Sequence, residues 1–263
     1  MKTVFLAWQD PASRRWLPIG RLTHAAETGT YLFAYTTGAE VAAKECSFQP
    51  LASFPRLDRR YESNTLFPLF ANRLPSRTRP DFDDYVEWLN IPQHGAEPIA
   101  LLARVGGRRA TDSFEIVPCP EREEGEEYRV HFFVHGLRHL SPASIERISR
   151  LKKGEQLFLL RDFQNPYDRD ALMLRTGTSS AETPYPDIVG YCPRYLVEDA
   201  LKIIEGCPSS PQVRVERINL PPAPLQLRLL CSMTGCWPEG FHPFAGPLYQ
   251  LLLADKESNS LCR

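Results

Sequence analysis

The strongest constraint on this chain is a break near its middle. Pro118-Cys-Pro120 runs directly into Glu121-Arg-Glu-Glu-Gly-Glu-Glu127. Each proline fixes φ and removes a backbone donor, which stops helices and strand ladders. A block of like charges repels itself and stays solvated. The pattern predicts an acidic linker over 121–127 between two modules, 1–120 and 128–230. A C-terminal extension, 231–263, is expected to pack on the second module. A chain of 263 residues has room for about two domains at roughly 150 residues each. The formal charge of −1 hides a division: 1–120 carries +1, the linker −4, 128–228 +3 and 229–263 −1.

Composition narrows the class further. At 43% hydrophobic and 24% charged, the chain is not wholly disordered. No apolar run reaches the roughly 18 residues that span a bilayer, and Met1–Asp10 is too short for a signal peptide, so a cytoplasmic protein is expected. The 24 prolines argue for short strands joined by turns rather than long helices. The seven cysteines are irregularly spaced and read as buried, reduced thiols. Cys231 and Cys236 with His242 fall one ligand short of a zinc site. His131 and His135 share a strand face without a third ligand. Neither a metal nor a cofactor is expected.

In the first module, Val4–Trp8 and Tyr31–Tyr35 are apolar-aromatic runs of the kind strands favour. Ser63–Leu74 starts like a helix, with Pro68 in its first turn. Asp81–Leu89 and Pro98–Ala103 read as further short helices, and Ser113–Val117 as a strand. In the second module, strands are expected at Tyr128–His135, Gln156–Arg161, Ala171–Arg175, Asp187–Tyr191, Gln212–Arg217 and Gln226–Leu230. Tyr195–Ile204 is a helix, with Leu196, Ala200, Leu201 and Ile204 on its buried side. Residues 246–254 form a short helix or strand, and those from Lys256 on are frayed. Many short strands with one helix suggest a small, partly open barrel.

One loop carries most of the chemistry. Asn165-Pro-Tyr-Asp168 lies between two strands, and Asn-Pro marks a turn that displays Tyr167 and Asp168. Upstream stand Gly136-Leu-Arg138 and Leu157-x-Leu159-x-Arg161-Asp162; downstream stands Val189-Gly-Tyr-Cys-Pro-Arg194. This ordered set, over about 128–220, resembles the HIRAN domain. The resemblance implies an OB-like β-barrel that grips the 3′ end of single-stranded DNA. Arg138 would contact phosphate or base, while Asn165, Tyr167 and Asp168 would form the end pocket. Tyr191 and Arg194 would line the same groove. Where DNA-binding members carry two tyrosines, this chain has His139, which can stack or donate, and Leu140, which cannot bond phosphate.

Residues 3–118 show a second resemblance. Gly20-Arg-Leu22, Tyr31-x-Phe-x-Tyr35, Leu66-Phe-Pro-Leu-Phe-Ala-Asn-Arg-Leu-Pro75 and Pro98-Ile-Ala-Leu-Leu-Ala-Arg-Val-Gly-Gly107 resemble, in order, the N-terminal subdomain of HipA-type kinases. The kinase core is absent, and Gly106-Gly107 alone is no phosphate loop. The expected fold is therefore strand-rich α+β: a small HipA-N-like α/β-sheet domain followed by an OB-like HIRAN β-barrel. The expected function is non-catalytic. It combines single-stranded DNA binding through Arg138, His139, Asn165, Tyr167, Asp168, Tyr191 and Arg194 with docking of a HipA-type kinase through 1–118, in a toxin–antitoxin or DNA-stress setting. The alternative is an antitoxin-like protein-interaction subunit without DNA-end binding. No membrane partner is expected.

Overall fold

The structure is a computed structural model that describes residues 2–92, 96–109, 111–122, 127–177, 186–207 and 211–253. The acids at 123, 124 and 126 and the tail from Lys256 lie outside the described residues. The described chain is strand-rich α+β with two sheets and separates into two units. The first comprises Met1–Asp83, Ile91–Cys119 and His242–Arg263; the second comprises Asp84–Asn90 and Pro120–Phe241.

The first unit is built on a five-stranded antiparallel sheet. Its strands are β1 (Lys2–Gln9), β2 (Trp16–Ala25), β3 (Thr30–Tyr35), β4 (Tyr61–Ser63) and β5 (Phe114–Pro118), ordered β4-β3-β2-β1-β5. Three helices belong wholly to this unit, α1 (Thr37–Glu45), α2 (Pro68–Ala71) and α4 (Pro98–Val105), while the residues of α3 (Phe82–Trp88) are divided between the two units. The run Val4–Ala7 is buried throughout rather than alternating, because the sheet is covered on both faces. The residues from 244 to 252 supply part of that cover. Phe5 meets Phe244 and Tyr249 at ring distances of 5.5 and 5.0 Å, and Leu252 donates its amide to the Tyr35 carbonyl at 3.1 Å.

The expected C-terminal extension is therefore divided. Residues 231–236 belong to a strand of the second sheet, Trp237 and Phe241 pack on the core of that unit as expected, and residues from His242 on group with the first unit. Aromatic rings at 244 and 249 find their apolar partner in β1, a contact that sequence distance conceals.

The second unit holds a seven-stranded antiparallel sheet. Its strands are β6 (Glu121–Arg122), β7 (Glu127–Phe133), β8 (Gln156–Arg161), β9 (Leu172–Thr176), β10 (Ile188–Tyr191), β11 (Gln212–Ile218) and β12 (Leu229–Cys236). They are ordered β10-β9-β8-β11-β12-β7-β6. The chain leaving β7 returns to the far edge: His135 and Tyr191 exchange both backbone hydrogen bonds at 2.9 Å. The sheet is thus curled into a half-barrel. Gly190, at φ +132°, allows the closure, since a Cβ there would meet Val134 Cγ1 at 2.3 Å and the His135 carbonyl at 2.7 Å.

Of the expected acidic linker, Glu121–Arg122 forms a short strand that pairs with Arg129 and Tyr128 of β7. Residues Asp84–Asn90, expected in the first module, group with the second unit. There Glu87 accepts from Arg217 at 2.5 Å, and the Trp88 carbonyl accepts from the buried Asn219 side chain at 2.9 Å.

Two helices complete this unit. α5 (Pro142–Ser149) is capped by Ser141, whose hydroxyl accepts from the Ser144 amide. α6 (Arg194–Gly206) buries Leu196, Val197, Ala200 and Ile203. That face is rotated by about one residue from the expected one. Leu201 and Ile204 are only partly buried, Leu201 lying at the edge of the barrel core, because the side turned to that core is the one that carries Leu196, Ala200 and Ile203. Cys207 and Cys236 form a disulfide with a Cα–Cα distance of 6.5 Å, and Cys119 is also disulfide-bonded. The expectation of reduced thiols holds for Cys46, Cys192 and Cys231. Burial pushes the Cys192 and Cys231 thiols up. No helix among the described residues is long and apolar enough to cross a membrane.

Candidate nucleic-acid interface

The loop from Asp162 to Ala171 joins β8 to β9 and is organised by its own side chains. Asn165 Oδ1 accepts from the backbone amides of Tyr167 and Asp168, both at 3.0 Å, which closes the turn after Asn-Pro. Its amide nitrogen donates to Asp162 Oδ2 at 3.3 Å. Asn165 is therefore spent on holding the loop. The Tyr167 side chain is left in solvent at 89% exposure, an unusual placement for an aromatic ring.

Arg194 approaches from the first turn of α6. Its Nε donates to Asp168 Oδ2 at 2.8 Å and its Nη2 to the Tyr167 carbonyl at 3.1 Å. Asp168 is thereby fixed, with its Oδ1 accepting from the Asp170 amide at 3.2 Å. A carboxylate offers about four lone-pair sites, so Asp168 keeps capacity for a further donor. The loop and α6 together form an open groove of about 820 Å³, lined by Asn165, Tyr167, Asp168, Arg169, Arg194, Val197 and Leu201 among others.

Tyr191 reaches the base of the same loop. Its hydroxyl donates to Asp162 Oδ2 at 2.9 Å. Burial, and then this bond to a carboxylate, push the phenol pKa up. The other edge of the ring meets Gly136, where a Cβ would lie 2.8 Å from Tyr191 Cδ2. Gly136, at φ +79°, opens the turn that carries Arg138 and His139. The two are exposed, and Arg138 Nε donates to His139 Nε2 at 2.9 Å. Leu140 packs against the barrel core instead of facing the groove.

Five of the seven expected residues, Asn165, Tyr167, Asp168, Tyr191 and Arg194, are thus joined by the loop's hydrogen bonds. Arg138, His139 and Tyr191 stand outside the groove lining; Tyr191, expected to line the groove, instead supports the loop from below through Asp162 and packs on Gly136.

Residues 128–235 match the family model described as the HIRAN domain. A HIRAN domain is present in this chain. No curated protein matches it. Two solved structures show similarity. One is a protein from Lactobacillus plantarum, 17% identical, covering 41% of this chain and 98% of that one at a TM-score of 0.29. The other is the HIRAN domain of human HLTF, 19% identical, covering 42% of this chain and 76% of that one at a TM-score of 0.26.

The motif reading included Asp162 but gave it no role at the site; it accepts from Tyr191, from Asn165 and from the Gln164 amide. The signal was an acid three residues before Asn165 at a strand end. Also missed was Phe163, 79% exposed beside it. Among the described residues, no three or more His, Cys, Asp or Glu side chains cluster as metal ligands.

Proposed function

We propose that the HIRAN domain of this chain binds the 3′ end of single-stranded DNA and performs no catalysis. The observation that carries this reading is the exposed Tyr167 ring held beside a fixed Asp168 in an open groove. Tyr167 stacks on the last base, and Asp168 accepts from the terminal 3′-hydroxyl. Arg194 keeps the carboxylate in place and turns its free guanidinium edge toward phosphate. Asn165 and Tyr191 position the loop, while Arg138 and His139 receive the strand as it leaves. A stacked base is worth about 1–3 kcal/mol in single-strand binders. The test is fluorescence anisotropy with oligonucleotides ending in a 3′-hydroxyl or a 3′-phosphate. Preference for the hydroxyl, lost in Tyr167→Ala with Asp168→Ala, is expected. An affinity indifferent to both changes refutes the reading.

A second role is proposed for the first unit: docking of a HipA-type kinase in a toxin–antitoxin or DNA-stress setting, with the protein cytoplasmic. It rests on the resemblance of residues 3–118, and the Phe70–Pro75 segment that carries part of it is built into the core of the unit. Phe70 is fully buried, and Arg73 is locked to Asp112 and to the carbonyls of Leu69 and Gly107. Co-expression with such a kinase should suppress its toxicity through residues 1–118, and failure to bind or restrain it refutes this role. Kinase binding without any preference for a DNA end would leave the antitoxin-like interaction subunit as the function.

A further inference from the structure

The sheet that carries the groove has an outer face whose side chains break the usual pattern. An antiparallel strand with one side in solvent presents polar residues outward. β11 does so, with the exposed Gln212 and Arg214 alternating with the buried Val213 and Val215. On β8 the corresponding outward positions are Phe158 and Leu160, 37% and 47% exposed. The pairing extends this face sideways. Phe158 lies opposite Arg175, which lies opposite Ile188, 40% exposed; Leu160 lies opposite Met173, which lies opposite Tyr191. These six residues share one side of three adjacent strands. None is acidic, and the single charge is Arg175, whose guanidinium sits 5.0 Å from the centre of the Phe158 ring.

We propose that this face is a second binding surface, on which the bases 5′ of the terminal nucleotide stack as single-stranded DNA leaves the end groove. The proposal rests on the end-binding reading given above and extends it. Tyr191 supplies the continuity: it ends one row of the face, and its hydroxyl reaches Asp162, at the root of the loop that displays Tyr167. The two rows are two residues apart along β9, about 6–7 Å. The surface offers flat groups in series rather than a deep cleft. A phenyl ring with a stacked guanidinium gives a π-face and a cation together, which is the chemistry that sequence-tolerant single-strand binders use. A lone positive charge without a carboxylate among these positions favours a polyanion over an acid-and-base-studded protein rim.

The test uses the full chain with 5′-labelled oligothymidylates of two, four and eight nucleotides, each with a 3′-hydroxyl or a 3′-phosphate. Affinity is expected to rise with length in the unmodified protein. Phe158→Ala with Leu160→Ser should lower the affinity for the eight-mer about tenfold, within the range for a lost stacked base. The same variant should leave the dinucleotide affinity and the preference for the 3′-hydroxyl within twofold. Phe158→Trp should preserve the gain with length. Both changes are at exposed positions, and an unchanged melting curve confirms folding. An identical length dependence in variant and parent overturns the platform while the end pocket stands. A length gain that Phe158→Ala abolishes, without any 3′-hydroxyl preference, supports the platform and refutes the end pocket. Absence of binding to every oligonucleotide overturns both.

Discussion

Asn165 is the residue whose replacement tests the architecture of the loop most directly. In Asn165→Ala, the amides of Tyr167 and Asp168 each lose an acceptor at 3.0 Å, and Asp162 loses a donor at 3.3 Å. The Tyr167 amide is exposed and that of Asp168 only partly buried, so water replaces much of what is lost. At the low end of the usual value for a hydrogen bond, the sum is about 1–2 kcal/mol. For a unit of this size that corresponds to roughly 4–8 °C in Tm. The effect on ligand binding should be larger in kind than in energy. With the turn open, the Tyr167 ring and the Asp168 carboxylate lose their fixed relation, and discrimination between 3′-hydroxyl and 3′-phosphate ends should fall toward unity. Asn165→Asp separates the two contributions. It retains the oxygen that closes the turn but loses the donor to Asp162 and sets two carboxylates together, so it should lie between Asn165→Ala and the parent. Differential scanning fluorimetry and anisotropy on the same samples measure both quantities. If Asn165→Ala melts with the parent and keeps full end discrimination, the turn is held by other means and the reasoning fails.

Other consequences follow from single contacts. Arg73→Ala leaves Asp112 and two carbonyls without their cation in a site where the arginine side chain is 1% exposed, and should cost about 3–5 kcal/mol in urea unfolding. Burial raises the pKa of Glu115, with Arg108 at 4.0 Å opposing it. A raised native value means that this stability is fully present below the unfolded pKa, about 4.3, and is lost as pH rises through the native value. Glu115→Gln should therefore flatten the fall, measured as the variant-minus-parent difference across a pH series. Cys236→Ser opens a loop closed by residues 29 apart and should cost about 3–4 kcal/mol by the chain-entropy relation, read from the Tm under non-reducing conditions. If only Arg138 and Arg194 meet phosphate, log affinity should fall with log salt at a slope of about −1.4, and a much steeper slope places the main cations elsewhere.

What could be read from the sequence was mostly local. The apolar runs at β1 and β3 announce strands because they are buried on both faces and need no alternation to be seen. The Asn165–Asp168 turn is legible because its hydrogen bonds run over two and three residues. β2 escaped because Pro18 and Gly20 interrupt its pattern. The structure accommodates them with a shift of register against Leu6 and Ala7, where a proline does not break a ladder. The disulfide, the return of residues 244–252 to β1 and the Tyr191–Asp162 bond all depend on which strands become neighbours, and no local pattern encodes that. The outward Phe158 and Leu160 show the same limit from the other side. In sequence they belong to an apolar run that reads as core, and only the register with Arg175 and Met173 shows that alternate members of the run face water.

The near-neutral charge of the chain bears on function through this geometry. Arg194, one of the cations expected to hold a nucleic-acid backbone, spends two of its donors inside the loop, on Asp168 and on the Tyr167 carbonyl. The surplus of three positive charges over 128–228 therefore overstates the charge available to a ligand at the groove. A site of this construction gains little from long-range attraction and must draw its affinity from contact: a ring to stack on, a carboxylate aimed at a hydroxyl, and apolar side chains on the sheet beside them. The proposed preference for a strand end therefore rests on the exposed Tyr167 ring and on the Asp168 carboxylate held 2.8 Å from Arg194, not on charge density.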